Sequence, residues 1–182
     1  MFKKVLEYFS KSWYDLIIRI GKENGCDNMI RYDIRDIARW LLKKEPMTHK
    51  RLQKYLYFFY GEYLVIKNLD FEHISTELFA NDFEGWAHGP VSPIIYQIYK
   101  GSGYRCLQLH PSAKVDVCSQ DEIILNGIYD KYKKYTTDEL EDMSHKQNPW
   151  KKSREGLDCF DIGNRPIKTI DIFECFKNGS NN

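Results

Sequence analysis

Five histidines, at positions 49, 73, 88, 110 and 145, and five cysteines, at 26, 106, 118, 159 and 175, are the side chains of this 182-residue chain best suited to metal or nucleophile chemistry. Zinc centres usually draw paired ligands from neighbouring positions, such as two histidines a helical turn apart or a CxxC knuckle. Neither pairing occurs here, and an odd set of cysteines without a close pair does not suggest a disulfide framework. Gly101 and Gly103 lack the helix-opening glycine and lysine of a phosphate loop, and there is no nucleophile-elbow motif. The enzyme reading is therefore weak, and no catalytic residue, metal or cofactor is assigned.

Two further groups of residues invite a binding role. Tyr55, Tyr57, Phe58 and Tyr60 stand beside Arg51 and Lys54, an interleaving that could stack nucleobases. A helix packed on several sides explains the same rings more simply. The second group is Trp86-Ala87-His88-Gly89-Pro90-Val91-Ser92-Pro93. Pro90 fixes a backbone angle, the residue before it is pushed toward extended geometry, and Pro93 suits the first turn of a helix. The segment reads as a rigid entry into a helix, either a corner or a preformed recognition surface.

The elements that must position these groups are mostly helical. Phe2, Leu6, Phe9, Trp13, Leu16 and Ile20 lie on one helical face, followed by a glycine-containing loop to Asn28. Docking onto the protein or a partner fits this stripe better than a membrane surface, because Glu7 and Asp15 dilute its positive charge. A second helix is predicted from Asp33, as N-cap, to Lys44, and a third from Thr48, as N-cap, to about Lys67. The third carries rings around most of its circumference and should be central. A small hairpin is expected within 77–86, around Asn81-Asp82. After Ser92 comes a short helix with Ile94, Ile95, Ile98 and Tyr99 as its inner face. Ser119 with Glu122 and Thr136 with Glu139 read as capping boxes of two more helices, and a last helix covers about Thr169 to Lys177. Trp86 is expected to pack near Tyr57 or Phe58.

Hydrophobic residues make up 42% of the chain and charged residues 29%, enough for one core and too apolar for a disordered chain. The net charge is +1, without the basic excess of a dedicated nucleic-acid binder, but it is segregated: +5 over 1–70, −5 over 71–130 and +1 over 131–182. Those opposite segments either pair inside the fold or complement a partner. No apolar run approaches the ~18 residues of a membrane span, and no secretory signal is recognisable, so cytoplasmic residence is expected.

Several of these residues together carry a resemblance. Leu52-Gln53-Lys54-Tyr55-Leu56-Tyr57-Phe58, the Trp86-Ala87-His88-Gly89-Pro90-Val91 turn, Tyr96, and His145 with Trp150 resemble the signature of the Panacea, or SocA-like, antitoxin domain. Tyr55 stands where leucine is usual, and Gly85 where alanine is common. The resemblance runs from about Met29 to Lys177, leaving 1–28 as an added amphipathic helix and loop and 178–182 as a frayed tail. It implies a mainly α, single multi-helix domain of bacterial or phage origin, acting as the antitoxin of a toxin–antitoxin module. The implied partner is a cognate protein toxin bound directly; one branch of the family delivers its toxin to a Clp-type protease. A homo-oligomer is left open. A nucleic-acid-binding regulator is the alternative from another class, but no helix-turn-helix with a basic recognition helix is evident. The motif residues Leu52, Gln53, Lys54, Tyr57, Phe58, Trp86, His88, Gly89, Pro90, Val91, Tyr96, His145 and Trp150 are the candidate partner-binding or scaffold set.

Overall fold

The computed structural model describes residues 29–110, 113–159 and 161–179. The amphipathic stripe expected over residues 1–28 and the chain from 180 onward lie outside them. Among the described residues there are seven α-helices and three two-stranded sheets. In order these are β1 (Met29–Ile30), α1 (Ile34–Lys44), β2 (Met47–Thr48), α2 (His49–Lys67), β3 (Thr76–Glu77), β4 (Glu84–Trp86), β5 (Gly89–Val91), α3 (Pro93–Tyr99), β6 (Cys106–Leu107), α4 (Ser119–Tyr132), α5 (Thr137–Lys146), α6 (Asn148–Ser153) and α7 (Thr169–Lys177). The chain is mainly α, as expected.

Local signals start the first two helices. The Asp33 side chain accepts the Arg35 N–H at 2.8 Å to cap α1, and Thr48 accepts the Arg51 N–H at 3.3 Å to cap α2. Every residue of α2 from Leu52 to Gly61 is buried, and α1, α4, α5, α7, β3 and β5 all pack against it. This helix is the central post of the fold. Phe58 stacks on Tyr132 of α4 at 4.7 Å, and Tyr57 meets Phe83 edge-on at 5.5 Å. At Gly61 the ring of Phe176 from α7 lies so close that a Cβ would fall 2.3 Å from it. Tyr55, Tyr57, Phe58 and Tyr60 are fully buried, so these rings are core rather than a stacking platform for bases.

Tertiary contacts override local signals in three places. The hairpin is β4–β5, turning at Ala87-His88 with Trp86 opposite Gly89, a few residues beyond the Asn81-Asp82 pair. Asn81 is pinned in an irregular link instead: its Oδ1 accepts the Phe83 N–H at 3.0 Å, and its Nδ2 donates to the Ile167 carbonyl at 2.7 Å. Thr136 and Glu139 form the expected capping box, but Ser119 falls inside α4, whose cap position is Cys118. There the Cys118 N–H donates to the Tyr32 hydroxyl at 3.2 Å, so a distant side chain takes the N-cap amide that an N3 side chain accepts in a capping box.

The third departure concerns α3. Its buried side chain is Ile95, with Tyr99 half-buried, whereas Ile94 and Ile98 are 48% and 49% exposed. Ser92 explains the rotation. Its backbone is fixed by Gln53, and its Oγ donates to Asp82 Oδ2 at 2.6 Å while accepting the Ile95 N–H. With the entry clamped, the helix has no freedom to turn Ile94 and Ile98 inward.

Candidate functional site

Three hydrogen bonds from two side chains hold the Trp86–Pro90 turn from beneath. The Lys54 ammonium, 1% exposed on the central helix, donates to the carbonyl of His88 and to that of Pro90 at 3.4 Å. Trp150 Nε1, on α6, donates to the Trp86 carbonyl at 2.8 Å. Alternate carbonyls of the turn, at 86, 88 and 90, are thus each engaged. Gln53 fixes the following residue: its Oε1 accepts the Ser92 N–H at 2.8 Å and its Nε2 donates to the Ser92 carbonyl at 3.1 Å. A side-chain amide here reproduces one rung of a β-ladder.

Burial without a bonded carboxylate lowers Lys54 to about 7, because the charged form loses its water. Glu141 of α5 favours the ammonium from nearby, but its carboxylate is bonded to Lys50 and, at 2.9 Å, to Nδ1 of His88. Burial alone would raise Glu141; the hydrogen bonds from Lys50 and His88 outweigh it and hold the carboxyl below its ordinary value. Burial also lowers His145, whose ring lies flat on Trp150 at 4.0 Å.

The motif residues thereby divide into two sets. Leu52, Gln53, Lys54, Tyr57, Phe58, Gly89, Pro90 and Val91 are buried. Trp86, Tyr96, His145 and Trp150 are half-buried and His88 is exposed. Trp86 meets Tyr96 at 4.7 Å, and Tyr96 in turn meets His49 at 5.4 Å. Contrary to the expectation that Trp86 packs near Tyr57 or Phe58, the indole lies against Tyr96, and Phe83 holds the place beside Tyr57. Tyr57 instead donates its hydroxyl to Gln147 Oε1 at 2.7 Å, tying the post to the α5–α6 junction.

Glu141, Gln147 and Asp82 escaped the sequence reading. Glu141 lies four residues before His145, one helical turn, and that spacing was the available signal. Nothing local marked the other two. The segregated charge is partly spent inside the fold, since Arg31 and Lys67 both bond Asp121, at 3.2 and 3.0 Å. Among the described residues no group of three or more His, Cys, Asp or Glu side chains could hold a metal ion, and no helix is long and apolar enough to cross a membrane.

Residues 52–151, which contain the central post's motif, the turn and the ring pair of His145 and Trp150, match the family described as "Antitoxin SocA-like, Panacea domain". The chain belongs to this antitoxin family. A curated relative, Antitoxin SocA of Caulobacter vibrioides (strain NA1000 / CB15N), is 32% identical over 99 residues, 52% of this chain and 48% of the relative. The matched segment thus spans about half the length of that relative. No solved structure matches. In this Panacea domain, α1 and α7 pack against the central helix although both lie outside the matched residues.

Proposed function

We propose that this protein is the antitoxin of a toxin–antitoxin pair and neutralises its toxin by direct binding through the face that carries Trp86, His88, Tyr96, His145 and Trp150. The observation that supports this reading is the division of the motif. Its apolar half and Lys54 are buried as scaffold, while its indoles, imidazoles and one tyrosine reach a common surface over that scaffold. Binding energy concentrates in a few aromatic anchors, and a turn already fixed at three carbonyls loses little freedom when it is engaged.

Co-expression with the product of the reading frame adjacent to the gene tests the proposal, which requires that product to be toxic by itself. The two proteins should co-purify, and the amount of toxin should be unchanged. Tyr96→Ala and His88→Ala should each weaken the complex by at least tenfold with little change in melting temperature. Loss of toxin protein on co-expression would instead make this chain an adaptor for a Clp-type protease. Full protection by a variant carrying both Tyr96→Ala and His88→Ala would move the interface elsewhere.

A further inference from the structure

We propose that His49 is an acid-sensitive latch on the Trp86–Tyr96 pair: its neutral imidazole, protonated at Nδ1 alone, holds Tyr96 in place, and a second proton at Nε2 releases it. The consequence for toxin binding rests on the function proposed above. The latch itself does not, and it is tested without a partner.

The tautomer follows from three hydrogen bonds that meet at one amide. Ser92 decides which end of the Gln53 side chain donates, because its N–H reaches Oε1 at 2.8 Å and its carbonyl accepts from Nε2 at 3.1 Å. Reversing the amide would set donor against donor and acceptor against acceptor, and both residues are buried. The second N–H of Gln53 Nε2 points to Nε2 of His49, 3.1 Å away. That ring nitrogen must accept, so the proton of the neutral ring sits on Nδ1. A proton added at Nε2 would face the N–H of Gln53, and Ser92 leaves the amide no freedom to turn away.

Ring contacts carry this constraint to the surface. His49 meets Tyr96 at 5.4 Å and Tyr99 at 6.4 Å, both on α3, and Tyr96 meets the Trp86 indole at 4.7 Å. An imidazolium forced off Gln53 therefore withdraws the support that Tyr96 has on the side away from Trp86.

The surrounding charges do not offset the added proton. His49 is the first residue of α2, where unpaired backbone N–H groups disfavour a cation. Next to it Lys50 is bonded to Asp138 and Glu141 of α5. On α3 the ring faces two neutral phenols, and Arg39 of α1, whose charge acts on Tyr99, is paired with Asp36. Before β6, which pairs with β2, Arg105 turns its guanidinium to the carbonyls of Gly101 and Ser102. Glu84 of β4 is bonded to the Trp86 indole. Burial accordingly lowers His49 from its ordinary 6.5, while a released ring regains that value. The closed latch is thus fully favoured above the ordinary value and loses ground as pH falls through the lowered one.

Nuclear magnetic resonance of the full chain tests the latch. At pH 7.5 the nitrogen shifts of His49 should show a protonated Nδ1 and a bare Nε2; a proton on Nε2 overturns the proposal. On acidification to pH 5, His49 should titrate below 6.5, and the Tyr96 ring and Trp86 Nε1–H signals should move with its midpoint. In His49→Phe, which keeps a ring against Tyr96, that movement should fall at least fivefold. Should this variant lose amide protection from Leu56 to Tyr63, His49→Asn decides by the same criterion. Signals of Tyr96 and Trp86 that stay constant, follow His88 or His145 instead, or move equally in the variant overturn the latch. If the product of the adjacent gene binds equally well at both pH values while those signals move, the latch stands and the interface lies elsewhere.

Discussion

The Nζ of Lys54 fills the space into which any side chain at Gly89 would project: a Cβ there would lie 2.3 Å from that nitrogen. The backbone adds a second demand, since Gly89 has φ of +96°, which L side chains rarely adopt. A lysine on the central helix and a glycine in the turn, 35 positions apart in sequence, are thus chosen by one contact.

Gly89→Ala should therefore cost about 2–4 kcal/mol, combining the unfavourable φ with displacement of the ammonium from its carbonyls. Urea unfolding measures this. A loss under about 1 kcal/mol would mean that the turn relaxes and that the contact is not selective.

Lys54 also sets a pH dependence. Its ordinary value is 10.5 in the unfolded chain and is lowered to about 7 in the fold. Between those values the unfolded chain holds a proton that the folded chain has released, so stability rises with pH, by at most about 1.4 kcal/mol per unit. Below pH 7 both states are protonated and the burial cost is felt in full. Comparing unfolding free energies from pH 7 to 9, the slope should be smaller in Lys54→Met than in the unaltered protein. Equal slopes would mean that Lys54 stays charged in the fold.

Asp121 has the opposite sign. It is fully buried and accepts from Arg31, Lys67, Tyr32 and Tyr63, the last two at 2.8 and 3.0 Å. Burial alone would raise its carboxyl, but these partners lower it. The stabilisation is thus complete above the ordinary carboxylate range near pH 4 and is lost as pH falls through the depressed folded value. Asp121→Asn should cost about 3–5 kcal/mol at pH 7, because two cations lose their buried anion, and should shrink the acid-induced loss below pH 4. Thermal unfolding at pH 7 and 3 checks both.

Phe83 and Trp86 should separate fold from binding. Phe83 is fully buried against Tyr57 and Tyr60, so Phe83→Ala should cost about 3–5 kcal/mol. Trp86 is half-buried against Tyr96, and Trp86→Ala should cost no more than about 2 kcal/mol while weakening toxin binding at least tenfold. Equal destabilisation by the two would return Trp86 to the core.

By itself the sequence determined six of the seven described helices and the starts of four of them; the short helix Asn148–Ser153 was not legible, and the cap position of α4 is Cys118 rather than Ser119. Asp33, Thr48, Ser92 and Thr136 act within three residues of themselves, through side-chain oxygens that accept nearby N–H groups, so their effect is written in adjacent letters. The ring-covered surface of α2 likewise required a central place, since so much apolar area cannot be left in water. Tertiary structure alone decided what those helices face. A seven-residue helix offers too few turns for periodicity to fix its orientation, so Ile94 and Ile98 point outward because Ser92 is clamped from two other elements. Likewise, nothing near Lys54 or Asp121 marks them as buried. Their burial depends on carbonyls of the turn 34 and 36 residues downstream and on cations 54 and 90 residues upstream, and a charge enters the interior only where such distant partners converge to replace its water.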